Sequence, residues 1–158
     1  MCCKRRTSIT TQFGEVLTVT RNSVLQSTSV YNARGQATQV TDAMNYVTNY
    51  EYTAVGDLQS VTRAGATTSF EYDKLGRVTK STDALLNFEA YTYDSRGNRT
   101  SVRNKLGGVT TYAFDKRGLM VSETLPVKSY DNAGNPSAAN ITNTYAYDAR
   151  GNLKTKVE

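Results

Sequence analysis

The 158-residue sequence has no histidine, no tryptophan, two prolines and two cysteines. Without histidine, the chain alone cannot form a Ser-His-Asp or Cys-His catalytic arrangement, a histidine-ligated zinc site or a histidine pH switch. The cysteines, Cys2 and Cys3, are adjacent, and such a pair supports neither a disulfide framework nor a four-ligand metal site. A nucleophile motif and a Gly-rich phosphate loop are also missing. The sequence therefore predicts a protein that is not an enzyme and holds neither metal nor cofactor.

Long apolar runs and concentrated charge are scarce as well. No apolar run approaches the roughly 18 residues of a membrane span, and the basic start lacks the apolar core of a signal peptide. Lys4, Arg5 and Arg6 supply three units of the net charge of +5, so the rest of the chain has an ordinary mixed surface. We expect no membrane span and no nucleic-acid partner. The protein either stays inside the cell or is exported by a signal on polypeptide beyond this chain.

What the sequence does contain is a repeat. One phrase runs from an aromatic residue to a glycine, and consecutive glycines of this phrase are 21, 20, 21, 21, 16 and 17 residues apart. Self-similarity at a steady period is the signature of a repeat architecture. The full copies are Tyr50–Gly56, Phe70–Gly76, Tyr91–Gly97, Tyr112–Gly118 and Tyr145–Gly151, and the shorter copies are Tyr31–Gly35 and Tyr130–Gly134. We assign residues 13–153 to this array of about seven copies, 1–12 to a poorly ordered tail, and 154–158 to a tail or a truncated next repeat.

Each period of the repeat predicts a β-hairpin. A second turn signal lies about halfway through the unit, as in residues 41–45 and 82–87, and it leaves two arms of about six residues, the length of an ordinary strand. The fold class is therefore all-β, with tandem antiparallel hairpins in one sheet of about fourteen strands. Because open twisted sheets of more than about ten strands usually curl, we expect a curled, spiralling sheet with an unpaired edge at each end.

The turn chemistry is most specific in the copies that read Asp-x-x-Gly. The aspartate side chain accepts hydrogen bonds from backbone N–H groups two or three residues further on, and the glycine supplies the positive φ that closes a type I turn with a bulge. The two aromatics before the turn are two residues apart, so they project from one face of the strand. The structural repeat motif comprises Tyr31, Gly35, Tyr50, Tyr52, Gly56, Phe70, Tyr72, Asp73, Gly76, Tyr91, Tyr93, Asp94, Gly97, Tyr112, Phe114, Asp115, Gly118, Tyr130, Asp131, Gly134, Tyr145, Tyr147, Asp148 and Gly151.

The copies Phe70–Val78 and Tyr91–Arg99 resemble the YD repeat of the Rhs family, which includes bacterial Rhs and wall-associated polymorphic toxins, the C component of insecticidal Tc toxins and the teneurins. The resemblance extends over Tyr31–Leu153. It implies a spiralling β-sheet that forms a hollow shell, which in the toxins encloses a C-terminal toxic domain, and a secreted or cell-surface location. The two prolines of this chain follow Leu125 and Asn135 rather than aspartate, so the chain departs from the family's Asp-Pro-rich self-cleavage motif.

Three groups of residues have both a structural and a functional interpretation. The repeated aspartates are interpreted as turn caps, because identical repeats lack the closely spaced oxygen ligands of a calcium loop and the unequal environments of a catalytic pair. The tyrosines suit stacking on sugars, but their place in the repeat favours packing. Basic turn residues form a candidate ligand rim for anionic glycans or phosphates, although a solvated rim that discourages edge pairing is favoured. The rim comprises Arg34, Lys74, Arg96, Lys116, Arg117 and Arg150.

The sequence thus predicts a structural segment that contributes to the wall of an Rhs-type shell and has no catalysis of its own. Its partners would be neighbouring YD repeats of a larger shell, or a second copy bound through the open sheet edges. In the full-length context the shell would hold a toxin cargo. The alternative is a carbohydrate-binding or cell-surface adhesion module that uses the aromatic and basic face to hold a glycan.

Overall fold

The computed structural model of the chain describes residues 6–21, 24–130 and 136–157, which form fourteen strands and no helix. Within this part of the chain, no helix is therefore long and apolar enough to cross a membrane. In chain order the strands are β1 (Arg6–Thr10), β2 (Val16–Arg21), β3 (Val24–Tyr31), β4 (Ala37–Asp42), β5 (Val47–Tyr52), β6 (Leu58–Arg63), β7 (Ala66–Tyr72), β8 (Val78–Thr82), β9 (Phe88–Tyr93), β10 (Arg99–Arg103), β11 (Val109–Phe114), β12 (Met120–Tyr130), β13 (Pro136–Tyr147) and β14 (Leu153–Val157).

Strand order in the sheet follows chain order. The chain divides into two compact units, the first comprising Met1–Glu71 and Asp83–Leu85 and the second comprising Tyr72–Thr82 and Leu86–Glu158. In the first unit each strand from β1 to β7 pairs antiparallel with the next. In the second unit the strands from β8 to β14 do the same. The all-β fold of tandem antiparallel hairpins is confirmed.

The strands that carry the repeat phrase alternate between half-buried and exposed side chains. In β5, Tyr50 and Tyr52 are half-buried, and Glu51 between them is exposed. Strand β11 repeats the pattern around the exposed Ala113. The two aromatics of a phrase therefore share one face, as the two-residue spacing predicted. Cross-strand pairs such as Tyr50↔Val61 continue that face onto the next strand.

Burial is shallow throughout the described residues. None of their hydrophobic side chains is buried, and Ser60, at 7% exposure, is the one buried polar residue among them. A single sheet has no second layer to cover its faces, so each aromatic ring is covered only by neighbours on its own face. Stability therefore depends on cross-strand pairs and on the hydrogen bonds of the turns.

Two kinds of turn connect the strands. The repeat turns, residues 11–14, 32–35, 53–56, 73–76, 94–97, 115–118 and 148–151, each end in a glycine whose φ lies between 75° and 106°. The return turns, residues 42–45, 64–65, 83–86 and 104–107, lead back to the next phrase. The return turn at 64–65 has two residues, whereas the three other return turns within the described residues have four, and it falls in the period that is 20 rather than 21 residues long. The turn is two residues shorter, and β7 is one residue longer than β5, so the period is shorter by one residue.

The ends and the irregular part of the array differ from the sequence pattern. Strand β1 lies in residues 1–12, where its β-branched residues suit an extended partner for β2, and β14 extends to Val157. The 16- and 17-residue steps fall on the long hairpin of β12 and β13, which is paired as far as Tyr130↔Pro136. Tyr130 ends this strand, and Asp131 and Gly134 of the shorter repeat copy lie outside the described residues.

Candidate functional site

The Asp94 turn shows how an Asp-x-x-Gly sequence is held. Asp94 Oδ1 accepts hydrogen bonds from the backbone N–H groups of Arg96 and Asn98, both at 2.9 Å. The N–H of Gly97 donates to the Asp94 carbonyl at 3.1 Å, and Gly97 has a φ of 94°. The carboxylate thus receives N–H groups two and four residues further on. The bond from the N–H two residues further on was predicted, and the bond from the N–H four residues further on was not.

Residues other than aspartate hold the same kind of turn. Asn32 Oδ1 accepts from the N–H groups of Arg34 and Gln36 at 2.9 and 3.1 Å. In the next repeat turn, Thr53 Oγ1 accepts from the N–H of Asp57 at 3.0 Å. An amide or hydroxyl oxygen at the first position therefore substitutes for the carboxylate, which is why copies without aspartate fold alike.

The turn aspartates are held in their charged form. The side-chain amide of Asn98 lowers the pKa of Asp94, and Asn152 lowers the pKa of Asp148 in the same way, with backbone N–H groups adding to both effects. At Asp115 a hydrogen bond from a backbone N–H is the main cause of the lowered pKa. Among the described residues, no three Asp, Glu or Cys side chains are grouped to hold a metal ion. These observations support the interpretation of the aspartates as turn caps.

The second aromatic of the repeat phrase does more than pack. The hydroxyl groups of Tyr31, Tyr52 and Tyr93 each donate at 2.8 Å to the backbone carbonyl of the first residue of β2, β4 or β8, respectively. Tyr147 makes the same bond, also at 2.8 Å, to the first residue of β12. In every case the acceptor lies two residues after the glycine of the preceding repeat turn. The sequence analysis assigned these rings to packing and missed the hydrogen bonds of their hydroxyls. The constant spacing of two residues between each turn glycine and the acceptor is the one signal that could have indicated them.

Half of the candidate ligand rim binds protein rather than solvent. Arg34, Arg96 and Arg117 each donate through Nη1 to a backbone carbonyl of the following repeat turn, at 2.7, 3.3 and 2.8 Å. Arg77, which the sequence did not place in the rim, makes a similar bond of 3.2 Å to the carbonyl of Asp94. These arginines connect one repeat turn to the next, and this use competes with binding of an anionic ligand.

The rest of the rim is exposed to solvent. Lys74, Lys116 and Arg150 have exposed side chains, and none of the three forms a side-chain hydrogen bond or ion pair with any residue that the structure describes. The structure therefore separates the six rim cations into three that connect repeat turns and three that face water. It does not gather them into one pocket.

An open groove of about 700 Å³ lies on the first unit beside two repeat turns. Its lining includes the aromatic rings of Tyr50 and Tyr52 and the polar side chains of Arg34, Gln36 and Gln59. The Tyr50 hydroxyl makes no hydrogen bond with a described residue, in contrast to that of Tyr52, which is bound to a carbonyl. Aromatic rings beside amide groups are the surface chemistry that holds neutral sugars.

Comparisons with known proteins bear on the whole array. The family model described as Teneurin YD-shell matches residues 8–158. The chain is similar to the crystal structures of TcdB2-TccC3-TEV, with a TM-score of 0.66, and of TcdB2-TccC3-Cdc42, with a TM-score of 0.65. Each is 21% identical over 96% of this chain, whereas the chain spans 9% of the length of those chains. This likeness concerns the fold alone. No curated protein sequence matches the chain.

Proposed function

Because the chain belongs to the teneurin YD-shell family, we propose that it forms part of the wall of a YD-repeat shell and has no catalytic activity of its own. The observation that carries this proposal is the bonding between successive repeats. Arginine side chains join one repeat turn to the next, and the hydroxyls of four tyrosines join their phrases to the strand before them: Tyr31, Tyr52, Tyr93 and Tyr147. Such bonds stiffen a sheet along its length, as the wall of a shell requires, and they use polar groups that a catalytic site would need free.

The open ends of the sheet indicate what the wall segment binds. Among the strands that the structure describes, β1 and β14 each pair with one neighbour only, and all five residues of β14 are exposed. An unpaired edge offers a row of backbone donors and acceptors to another strand. The partners proposed for these edges are further YD repeats or, for the isolated chain, a second copy.

In a longer shell, the wall would enclose a toxin cargo, and the protein would act outside the cell or at its surface. The fold shared with the TcdB2-TccC3 structures is the support for this part of the proposal. The assignment of residues 13–153 to a repeat array is part of the same proposal. Such an array provides strands for a wall but no separate domain for a reaction.

The mass of the endogenous polypeptide tests the wall function. An immunoblot of cell and secreted fractions of the source organism, with an antibody raised against the full chain, is expected to detect a polypeptide many times heavier than 17.4 kDa. A band at 17.4 kDa would contradict the wall function. Sedimentation velocity of the isolated chain supplies a second readout, because open edges predict self-association that increases with concentration. A sharply melting monomer at high concentration would speak against open edges.

A second candidate function, glycan binding, is favoured by the groove beside Tyr50. Isothermal titration with neutral oligosaccharides would measure it, and Tyr50→Thr is expected to abolish the binding because it removes the stacking ring. Tyr112→Thr is the matched control, since Tyr112 has the same position in its repeat phrase and does not line this groove. Equal loss in both variants, or no saturable binding by the wild type, would exclude the glycan function.

A further inference from the structure

One return turn of the first unit is shorter than the turn before it. Only Ala64 and Gly65 connect β6 to β7, and Arg63↔Ala66 is the last paired position. The preceding return turn, residues 42–45, is longer and is followed by Tyr46. The N–H of Asp42 donates to the Tyr46 carbonyl and closes this turn. A recess lies beside the short turn, and the half-exposed Tyr46 is part of its lining.

The recess is a groove of about 480 Å³, lined by Tyr46, Val61, Arg63, Ala64, Ala66 and Thr68. This size is within the range of ligand-binding clefts, roughly 300–1,000 Å³. The valine, the two alanines and the tyrosine ring provide an apolar lining. Arg63 is the one charged residue that lines the groove.

Neighbouring groups hold the Arg63 guanidinium in place. Its Nη2 donates to Asp42 Oδ2 at 2.9 Å, and its central carbon lies 5.6 Å from the centroid of the Tyr46 ring. The arginine side chain is 57% exposed, and it has no other acceptor among the described residues. A guanidinium has five N–H donors. Arg63 therefore keeps donors for a carboxylate while its position is already fixed, which lowers the entropy cost of binding one.

The short turn has a left-handed backbone at both of its residues. Ala64 has a φ of 51° and Gly65 a φ of 80°, the pattern of a type I′ turn, in which Asn, Asp or Gly normally precedes Gly. Alanine is unfavourable in this conformation. Asn at this position would relieve the strain, but it would place a polar amide in the lining.

We propose that this groove binds an extended peptide segment of a partner protein that carries an aromatic side chain next to a carboxylate. The aromatic side chain would pack on Val61 and Ala66 beside the Tyr46 ring, and the carboxylate would accept hydrogen bonds from Arg63. Each half of the groove selects one half of this ligand. A purely apolar peptide makes no use of the guanidinium donors that Asp42 leaves available, and a purely acidic one leaves the apolar lining uncovered. The binding function goes beyond the wall role and does not depend on it.

The test uses the full chain and a fluorescein-labelled peptide of sequence Gly-Ser-Phe-Glu-Gly-Ser, followed by fluorescence anisotropy. We expect saturable binding to the wild type and a loss of affinity of about tenfold or more in Arg63→Gln, since a charged hydrogen bond is removed. Ala66→Leu, which fills the groove from an exposed position, is expected to weaken binding as well. A peptide with Gln in place of Glu should bind the wild type as weakly as the original peptide binds Arg63→Gln.

The matched control is Arg99→Gln. Arg99 also lies 5.6 Å from a tyrosine ring centroid, that of Tyr91, but it does not line the groove. Circular dichroism verifies that each variant is folded. The proposal is overturned by a folded wild type without saturable binding, by unchanged binding in Ala66→Leu, or by equal weakening in Arg63→Gln and Arg99→Gln. None of these outcomes depends on the mass of the endogenous polypeptide, so the wall function is tested separately.

Discussion

The repeat turns and the return turns both reverse the chain, but they do so with different residues. Every repeat turn that the structure describes ends in glycine, with φ between 75° and 106°, whereas three of the four described return turns hold Asn45, Ala64 or Leu86 at φ values of 51° to 64°. The φ values of Asn45, Ala64 and Leu86 lie in the small left-handed region that L-residues can occupy, roughly +50° to +70°. The φ values of the repeat-turn glycines lie beyond that region. The backbone angle of each turn therefore decides whether glycine is required, which explains why one turn is uniform along the chain and the other is not.

The largest effect is expected when a repeat turn loses its glycine. At Gly97, with φ at 94°, a β-branched side chain cannot adopt the backbone angle, so Gly97→Val should lower the free energy of unfolding by about 2 kcal/mol or more. The nearest atom to a Cβ at Gly97 is Arg77 Nη1, at 3.8 Å, so the cost is conformational rather than a clash. Ser95→Ala, in the same turn, should change little. Thermal melting compares the two, and equal melting temperatures would refute the turn assignment.

Acid should weaken the repeat turns next. The pKa values of Asp94, Asp115 and Asp148 are lowered from 3.8 in the folded chain. Since a lowered folded pKa means that the folded state binds protons less readily than the unfolded one, the stabilisation is present above pH 3.8 and is lost as the pH falls through the folded values. Urea midpoints measured from neutral to acidic pH should therefore decrease below that pH.

An asparagine at the first turn position keeps an oxygen acceptor but does not titrate, so it separates the effect of acid from the effect of the hydrogen bonds. Asn32 shows that an amide oxygen can hold the turn. Asp94→Asn should therefore remain folded at neutral pH and show a smaller decrease in the urea midpoint on acidification than the wild type. An identical decrease in both proteins would mean that Asp94 does not contribute to the pH dependence.

The tyrosine hydroxyls should contribute less to the free energy of unfolding. The chain allows one hydroxyl to be removed and another to be added. Tyr93→Phe removes the bond to the Val78 carbonyl and should cost about 1 kcal/mol. Phe114 occupies the equivalent position without a hydroxyl, and the corresponding acceptor is the carbonyl of Arg99, two residues after Gly97. Phe114→Tyr should therefore stabilise by about the same amount. Chemical denaturation measures both changes in the free energy of unfolding. Two changes of the same sign would disprove the role given to the hydrogen bonds between tyrosine hydroxyls and strand carbonyls.

The smallest effect is expected in a return turn. Leu86 has a φ of 64° and is 81% exposed, so Leu86→Asn relieves strain without removing packing and should stabilise by about 0.5–1 kcal/mol. Leu85, next to it, is equally exposed at 81% but is not at positive φ. Leu85→Asn is thus the matched control and should be close to neutral. Differential scanning calorimetry of the two variants would contradict the interpretation if their melting temperatures changed equally.

Much of the fold could be predicted from local patterns in the sequence. The spacing of glycines located the repeat turns, and the two-residue spacing of Tyr50 and Tyr52 placed both rings on one face, because each rule concerns neighbouring residues. The long hairpin of β12 and β13 was less accessible, since its steps of 16 and 17 residues break the period without saying how. The groove beside Arg63 was not predicted, because it brings Tyr46 together with residues 61–68, which are distant from it in the sequence.

The sequence by itself determined the strands, the turns and the aromatic face, because their causes act within a few residues: side-chain alternation, an oxygen acceptor at the first turn position and glycine at the fourth. Only the tertiary structure decided what the polar groups of those elements bind. The bond from Arg117 to the Asp148 carbonyl joins residues 31 positions apart, and the bond from Tyr147 to Met120 joins residues 27 apart. No local pattern specifies such partners, since the pairing of whole strands brings them together.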